Sequence, residues 1–152
     1  MLVNNSLLNY DEIWMTRALF LATKSMHYNE VPVGAVLVFN NMELCSSFNF
    51  TFKFNNLLGH AEMNVINICS KNLSVYRLYN TTLYVTLEPC IMCFGAILRY
   101  RIKRVVFGAF SNDFFSMTKV LNLKKKKPII FLGGVLEKKS SNLLYFFFSK
   151  KR

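Results

Sequence analysis

Four side chains in this sequence have the types and the spacing to build a metal-dependent hydrolytic centre: His60, Glu62, Cys90 and Cys93. An imidazole and two thiolates are ligands that zinc prefers, and a site with three protein ligands keeps its fourth position for water. In the run Pro89-Cys90-Ile91-Met92-Cys93 the two cysteines are three residues apart, which on a helix is about 300° of rotation and turns both sulfurs the same way. A helix N-terminus lowers a thiol's pKa, so cysteines at the start of a helix are held ready as thiolates. His60 opens the preceding helix, and two helix N-termini thereby converge on one metal. Glu62 then has separate work, because a carboxylate beside the metal takes the proton of an activated water and delivers it to the substrate.

A closed structural zinc site would need a fourth protein ligand from Cys45 or Cys69. Cys69 lies nine residues beyond His60, half a turn out of phase on a helix, and reads as a small buried hydrophobe. Nothing in the spacing of Cys45 recommends it as a ligand. His27 has no partner motif and reads as a surface or satisfied histidine. In a reducing compartment the four cysteines are expected to serve as thiolates rather than as a disulfide framework.

The elements that must position these groups follow from patterning. Apolar positions at helical spacing (Ile13, Trp14, Ala18, Leu21, Ala22, Met26) predict a helix over Asp11 to Asn29, with Asp11 and Glu12 in its first turn. Val33 to Phe39 and Glu43 to Phe48, joined by Asn40-Asn41, predict a hairpin. His60 to Lys71 reads as a helix, Thr82 to Leu87 as a strand, 90 to 100 as a helix begun by Pro89, and Arg104 to Ala109 as a strand. Met117 to Leu123 reads as a short helix, Ile129 to Leu132 as a strand, and Glu137 to Phe148 as the closing helix. Helices alternating with strands predict an α/β sandwich whose pairing is largely parallel after the first hairpin.

The 152 residues suit one domain, 1 to 152, and 53% hydrophobic content excludes a disordered chain. The longest apolar stretches, Val31 to Phe39 and Ile129 to Leu136, are far short of the ~20 residues that span a bilayer. The opening MLVNNSLLNYDE lacks the pattern of a secretory signal, so the expected location is the cytoplasm or an organelle matrix. Net charge is +11, and it is uneven: residues 1 to 98 carry five basic and six acidic side chains, residues 99 to 152 fourteen basic and two acidic. Such a basic half fits a polyanion such as nucleic acid, although drift toward lysine produces the same excess. The Lys124 to Lys127 run reads as a solvated loop.

Taken together, His60-Ala61-Glu62 and Pro89-Cys-Ile-Met-Cys93 form the H-x-E and P-C-x-x-C signature of zinc nucleobase deaminases. The chain resembles the tRNA-specific adenosine deaminases in particular, through Glu30-Val-Pro-Val-Gly-Ala-Val-Leu-Val38, Leu83-Tyr-Val-Thr-Leu-Glu-Pro-Cys90, Arg101-Ile-Lys-Arg-Val-Val-Phe-Gly-Ala109, Gly133-Gly-Val-Leu136 and Phe147-Phe148. The resemblance implies a three-layer α/β/α sandwich around a mixed five-stranded sheet, of the cytidine deaminase kind. It also implies a homodimer with one zinc per subunit, and hydrolysis of adenosine to inosine at the wobble position of a tRNA anticodon stem-loop. Asn49 falls where the family carries an asparagine that hydrogen-bonds the target base. Phe147 and Phe148 read as the apolar face of a docked helix, with one of them, beside Lys150, Lys151 and Arg152, available to an anticodon nucleotide.

Several positions depart from the family pattern. Asn56-Leu57-Leu58-Gly59 stands in place of Asp-Pro-Thr-Ala, Ser111 to Ser116 replaces a Gly/Ala-rich loop, and Ser149 replaces a basic residue. Phe94 replaces a small residue and either narrows the pocket or fills core. The competing functions are deamination of a free nucleobase or nucleoside, and a catalytically silent RNA-binding subunit. A silent subunit should have lost a ligand or the glutamate, and this chain keeps all four.

Overall fold

The structure, a computed structural model, describes residues 5–112, 116–117, 119 and 129–151, and for 5–9 the backbone alone. The elements are α1 (Asn5–Met26), β1 (Gly34–Phe39), β2 (Met42–Phe48), α2 (Ala61–Asn72), β3 (Thr82–Leu87), α3 (Ile91–Arg99), β4 (Arg104–Ala109), β5 (Ile130–Gly133) and α4 (Glu137–Ser149). Most of the expected helix Met117 to Leu123, the Lys124 to Lys127 run, Asp113 to Phe115 and Arg152 lie outside the described residues. Among the described residues, no helix is long and apolar enough to cross a membrane.

The strands form a mixed five-stranded sheet in the order β2-β1-β3-β4-β5. The β1–β2 hairpin closes through Asn40 and Asn41, both left-handed at φ 48° and 58°, the conformation that matches a two-residue turn to strand twist. β1 also pairs antiparallel with β3, whereas β3–β4 and β4–β5 are parallel. Alternation along each strand sorts side chains between two cores. Ala35, Leu37, Leu83, Val85, Val105 and Phe107 join Val65, Ile66 and Ile97 of α2 and α3 on one face. Val36, Val38, Tyr84 and Val106 meet Met15, Ala18 and Leu19 of α1 on the other, with Leu143 of α4 packed against them. The result is the expected α/β/α sandwich, because a strand buried on both faces needs a helical layer over each.

Two local expectations are corrected. α1 begins six residues before Asp11; of its expected apolar face Ala18, Leu21 and Ala22 are buried, with Met15 and Leu19 beside them, while Ile13 is exposed. Asp11 is therefore no first-turn acid. It is buried in mid-helix, accepting from Nη1 and Nη2 of Arg104, each at 2.7 Å, and from the Tyr84 hydroxyl at 2.8 Å. The second concerns the thiols: Cys45 of β2 and Cys69 of α2 are joined as a disulfide, with Cα atoms 5.6 Å apart. α2 packs over β2 at the sheet edge, which brings both side chains into one core layer. Cys69 is buried as expected, while Cys90 and Cys93 are the free cysteines.

Candidate zinc centre

Two helix starts are brought together at the carboxyl ends of the parallel strands, where open α/β sheets form their ligand crevices. His60 is the N-cap of α2 and Cys90 the N-cap of α3, both with extended backbone, and Cys93 sits in the first turn of α3. His60 Nδ1 lies 3.7 Å from Cys90 Sγ and 3.5 Å from Cys93 Sγ. A tetrahedral zinc with ordinary Zn–N and Zn–S bonds has an N···S edge of about 3.5 Å, so the three donors fit the ion. No fourth protein ligand joins them among the described residues.

The protonation states agree with a waiting metal site. The Cys90 thiol is lowered to about 4, first by its hydrogen bond with Cys93 and then, against the cost of burial, by His60. Cys93 is pushed up by the same shared bond, so the pair holds one proton that a metal would displace. His60 is raised, chiefly by its bond to Cys90. Glu62, only 4% exposed, is raised to about 7 by burial.

His60, Glu62 and Cys90 share a cavity of about 230 Å³ with Asn49, Glu88 and Ser111, its apolar side formed by Val31, Val33 and Leu87. Asn49 is buried, and its Oδ1 accepts the Ala61 N–H at the start of α2 at 3.1 Å. That uses one lone pair of the carbonyl, orients the amide, and leaves the NH2 as a donor for a ligand. Glu88 accepts the Ser111 N–H at 2.9 Å and so ties the segment after β4 to the rim. Composition offered no signal for this beyond the placement of Glu88 beside Pro89-Cys90.

The segment before His60 is closed by its own hydrogen bonds. Phe50 N–H bonds Gly59 O at 2.8 Å, Gly59 N–H bonds Asn56 O at 2.9 Å, and Asn56 Oδ1 accepts the Leu58 N–H at 3.0 Å. A Cβ at Gly59 would collide with the Phe50 carbonyl, which explains glycine at this position. Phe94 resolves as core, buried with its ring 5.9 Å from Phe131.

Glu30, which spacing did not single out, is fully buried beneath the same loop. It accepts from Thr51 N–H at 3.0 Å, Thr51 Oγ1 at 2.7 Å and Lys53 N–H at 2.8 Å. Burial alone would raise its pKa, but the bonds from Lys53, Thr51 and Phe52 together lower it below the usual carboxylate value. A depressed folded pKa contributes stability above the unfolded value, and that stability disappears as pH falls through the folded one. Glu30→Gln should therefore be less stable at neutrality and lose less stability than the parent on acidification below about pH 4, measured by thermal melts across that range.

At the C-terminus, Phe147 is 7% exposed and Phe148 49%. Lys151 Nζ lies 4.4 Å from the centroid of the Phe147 ring. Phe146, Phe147, Lys150 and Lys151 border a recess of about 210 Å³ with Met26 and Asn29. Of the C-terminal group expected to meet a ligand, Phe147, Lys150 and Lys151 border this recess, Phe148 is exposed with its ring 5.3 Å from that of Phe147, and Arg152 lies outside the described residues.

Comparison with known proteins sets this geometry in context. The cytidine and deoxycytidylate deaminase zinc-binding region matches residues 8–109. The tRNA-specific adenosine deaminase of Buchnera aphidicola subsp. Schizaphis graminum is 43% identical over 123 residues, 78% of this chain and 82% of the relative. That of Bacillus subtilis is 41% identical, covering 77% of this chain and 73% of the relative. A solved structure from work on A-to-I editing by tRNA:A34 deaminases at the wobble position superposes with TM-score 0.79 at 34% identity, over 86% of this chain and 98% of that one. A guanine deaminase from Nitrosomonas europaea shares the fold at 20% identity and TM-score 0.80, over 91% of this chain and 84% of that one.

Proposed function

Since the chain belongs to the cytidine and deoxycytidylate deaminase family and, within it, to the tRNA-specific adenosine deaminases, we propose that it converts adenosine to inosine at the wobble position of a tRNA anticodon. The observation that carries this is the convergence of His60, Cys90 and Cys93 at zinc-ligand distances beside the buried Glu62. Held by those three residues, zinc supplies a Lewis acid that makes water a nucleophile near neutral pH. Glu62, its carboxyl raised to about 7, relays both protons of the water: it passes the first to a ring nitrogen as the C6–O bond forms, then takes the second from the resulting C6 hydroxyl and gives it to the amine, which leaves as ammonia as the C6–N bond breaks. Asn49, its side chain oriented by the bond from Ala61 N–H, donates its NH2 to the base and fixes it in the pocket. The small cavity admits one flipped base rather than a paired duplex.

The basic C-terminal half is the surface for the anticodon stem-loop, with Phe148, Lys150, Lys151 and Arg152 as contacts. Neutralising the three cations should weaken RNA binding and flatten its salt dependence by up to about two log units per log unit of salt, at roughly 0.7 per phosphate contact, with zinc content unchanged. We further assign the whole chain to one deaminase domain, active in the cytoplasm as a homodimer, as family membership suggests. Light scattering of the purified protein tests the dimer.

Incubating the zinc-loaded protein with total tRNA from its source and mapping inosine by sequencing tests the function. Inosine at a wobble position is the expected product. Turnover of free nucleobases, insensitive to salt and without inosine in tRNA, would replace this reading with a small-molecule deaminase.

A further inference from the structure

We propose that Phe52 and Phe54, on a loop held at the rim of the zinc pocket, form with Lys53 and Lys151 a stacking site for RNA nucleotides flanking the deaminated adenosine. This site rests on the RNA substrate proposed above. The loop leaves the pocket wall at Asn49 and returns at His60, and its neck is pinned by the bond between Phe50 N–H and Gly59 O at 2.8 Å. Phe52 is three residues from Asn49, so its Cα lies within roughly 11 Å of that residue's. A base stacked there is a close neighbour of the base in the pocket.

The loop is built rather than slack. A buried carboxylate, Glu30, spends its bonds on Thr51 and Lys53, residues on either side of Phe52. A ladder of rings stands beneath: Phe50 is 4.4 Å from Phe48, 5.5 Å from Tyr28 and 5.4 Å from Phe54, centroid to centroid. Lys53 Nζ sits 4.0 Å from the Tyr28 centroid and 5.5 Å from that of Phe54. Lys151 Nζ, from the C-terminal turn, lies 5.4 Å from the centroid of Phe52. Yet this framework leaves Phe52 67% and Phe54 63% exposed. Isolated exposed aromatics need no explanation. Two exposed rings held by a buried carboxylate, each with an ammonium beside it, match what single-stranded nucleic acid requires: flat faces for bases and cations for the intervening phosphates. The ammonium groups also disfavour a purely apolar occupant such as a second copy of this surface.

The test uses full-length, zinc-loaded protein carrying Glu62→Ala, so that bound RNA is not consumed, and anticodon hairpins with 2-aminopurine at each nucleotide flanking the wobble adenosine. Fluorescence should be quenched at one or more flanking positions. Adding Phe52→Ala and Phe54→Ala should remove that quenching and weaken binding about 10- to 100-fold. Phe52→Tyr with Phe54→Tyr keeps the ring faces and should keep both. Unchanged affinity and quenching in the alanine variant overturns the stacking site, and so does a fall from dimer to monomer by light scattering, which would assign the rings to contact between copies. Inosine formation by the protein without these substitutions is measured alongside. Its absence would overturn the RNA reading itself, independently of the two phenylalanines.

Discussion

Glu62→Ala is expected to abolish inosine formation, by at least about 10³-fold, while about one zinc per chain remains bound. Glu62 is in the same cavity as His60 and Cys90, but the donor atoms grouped closely enough to hold a metal are those of His60, Cys90 and Cys93, without the Glu62 carboxylate. Its own position favours proton work: burial lifts the carboxyl to about 7, where it is both a competent base and a competent acid at neutrality. A loss of 10³ corresponds to about 4 kcal/mol of transition-state stabilisation. Cys93→Ala provides the contrast, because it removes a ligand and should lose zinc together with activity. Paired measurement of bound metal and of inosine by sequencing separates the two roles. A Glu62→Ala protein that deaminates tRNA at the parent rate would remove the residue from the chemistry.

The metal site was legible because its chemistry is written in residue types at short spacing. His-x-Glu and Cys-x-x-Cys constrain each other locally, and only the joining of the two segments depends on the fold. Strands Thr82–Leu87 and Arg104–Ala109 were equally plain, since short runs of mostly β-branched, aromatic and aliphatic residues bounded by turns are buried on both faces of a sheet. Contacts between distant residues left no such trace. Glu30 lies within a recognisable stretch, but its hold on Thr51 and Lys53 spans more than twenty residues. The pairing of Cys45 with Cys69 depends on α2 lying over the β2 edge, which neither spacing nor periodicity encodes. The start of α1 was misplaced for a related reason: beginning the helix at Asp11 cast a buried anion as a capping charge, although its partner is 93 residues away, whereas the expected apolar positions Ala18, Leu21 and Ala22 are buried.

That buried anion carries the largest stability effect expected outside the metal site. Asp11 of α1 accepts a bidentate pair from Arg104 at the start of β4 and a third bond from Tyr84 of β3, joining the helix to two adjacent strands through one carboxylate. Burial and the Asp11 bond raise the Tyr84 phenol, which keeps it a donor at any ordinary pH, and Arg104 is likewise held charged by Asp11. Asp11→Asn keeps the size but leaves a guanidinium, 23% exposed, without its counter-charge. Breaking a fully buried pair costs about 3–5 kcal/mol, and the partial exposure of Arg104 reduces this to about 2–4 kcal/mol. For a domain of this size that is a fall in Tm of about 5–15 °C. Replacing both partners, Asp11→Leu with Arg104→Met, should recover much of the loss, because no isolated charge is left behind. The network sits at the amino end of β4 and the zinc cavity beyond its carboxyl end, so turnover per zinc-loaded molecule should be unchanged in Asp11→Asn below its melting transition. A Tm within a degree or two of the parent would mean that Arg104 is stabilised by water rather than by Asp11. An intact Tm with reduced turnover would place the network in communication with the site across the sheet.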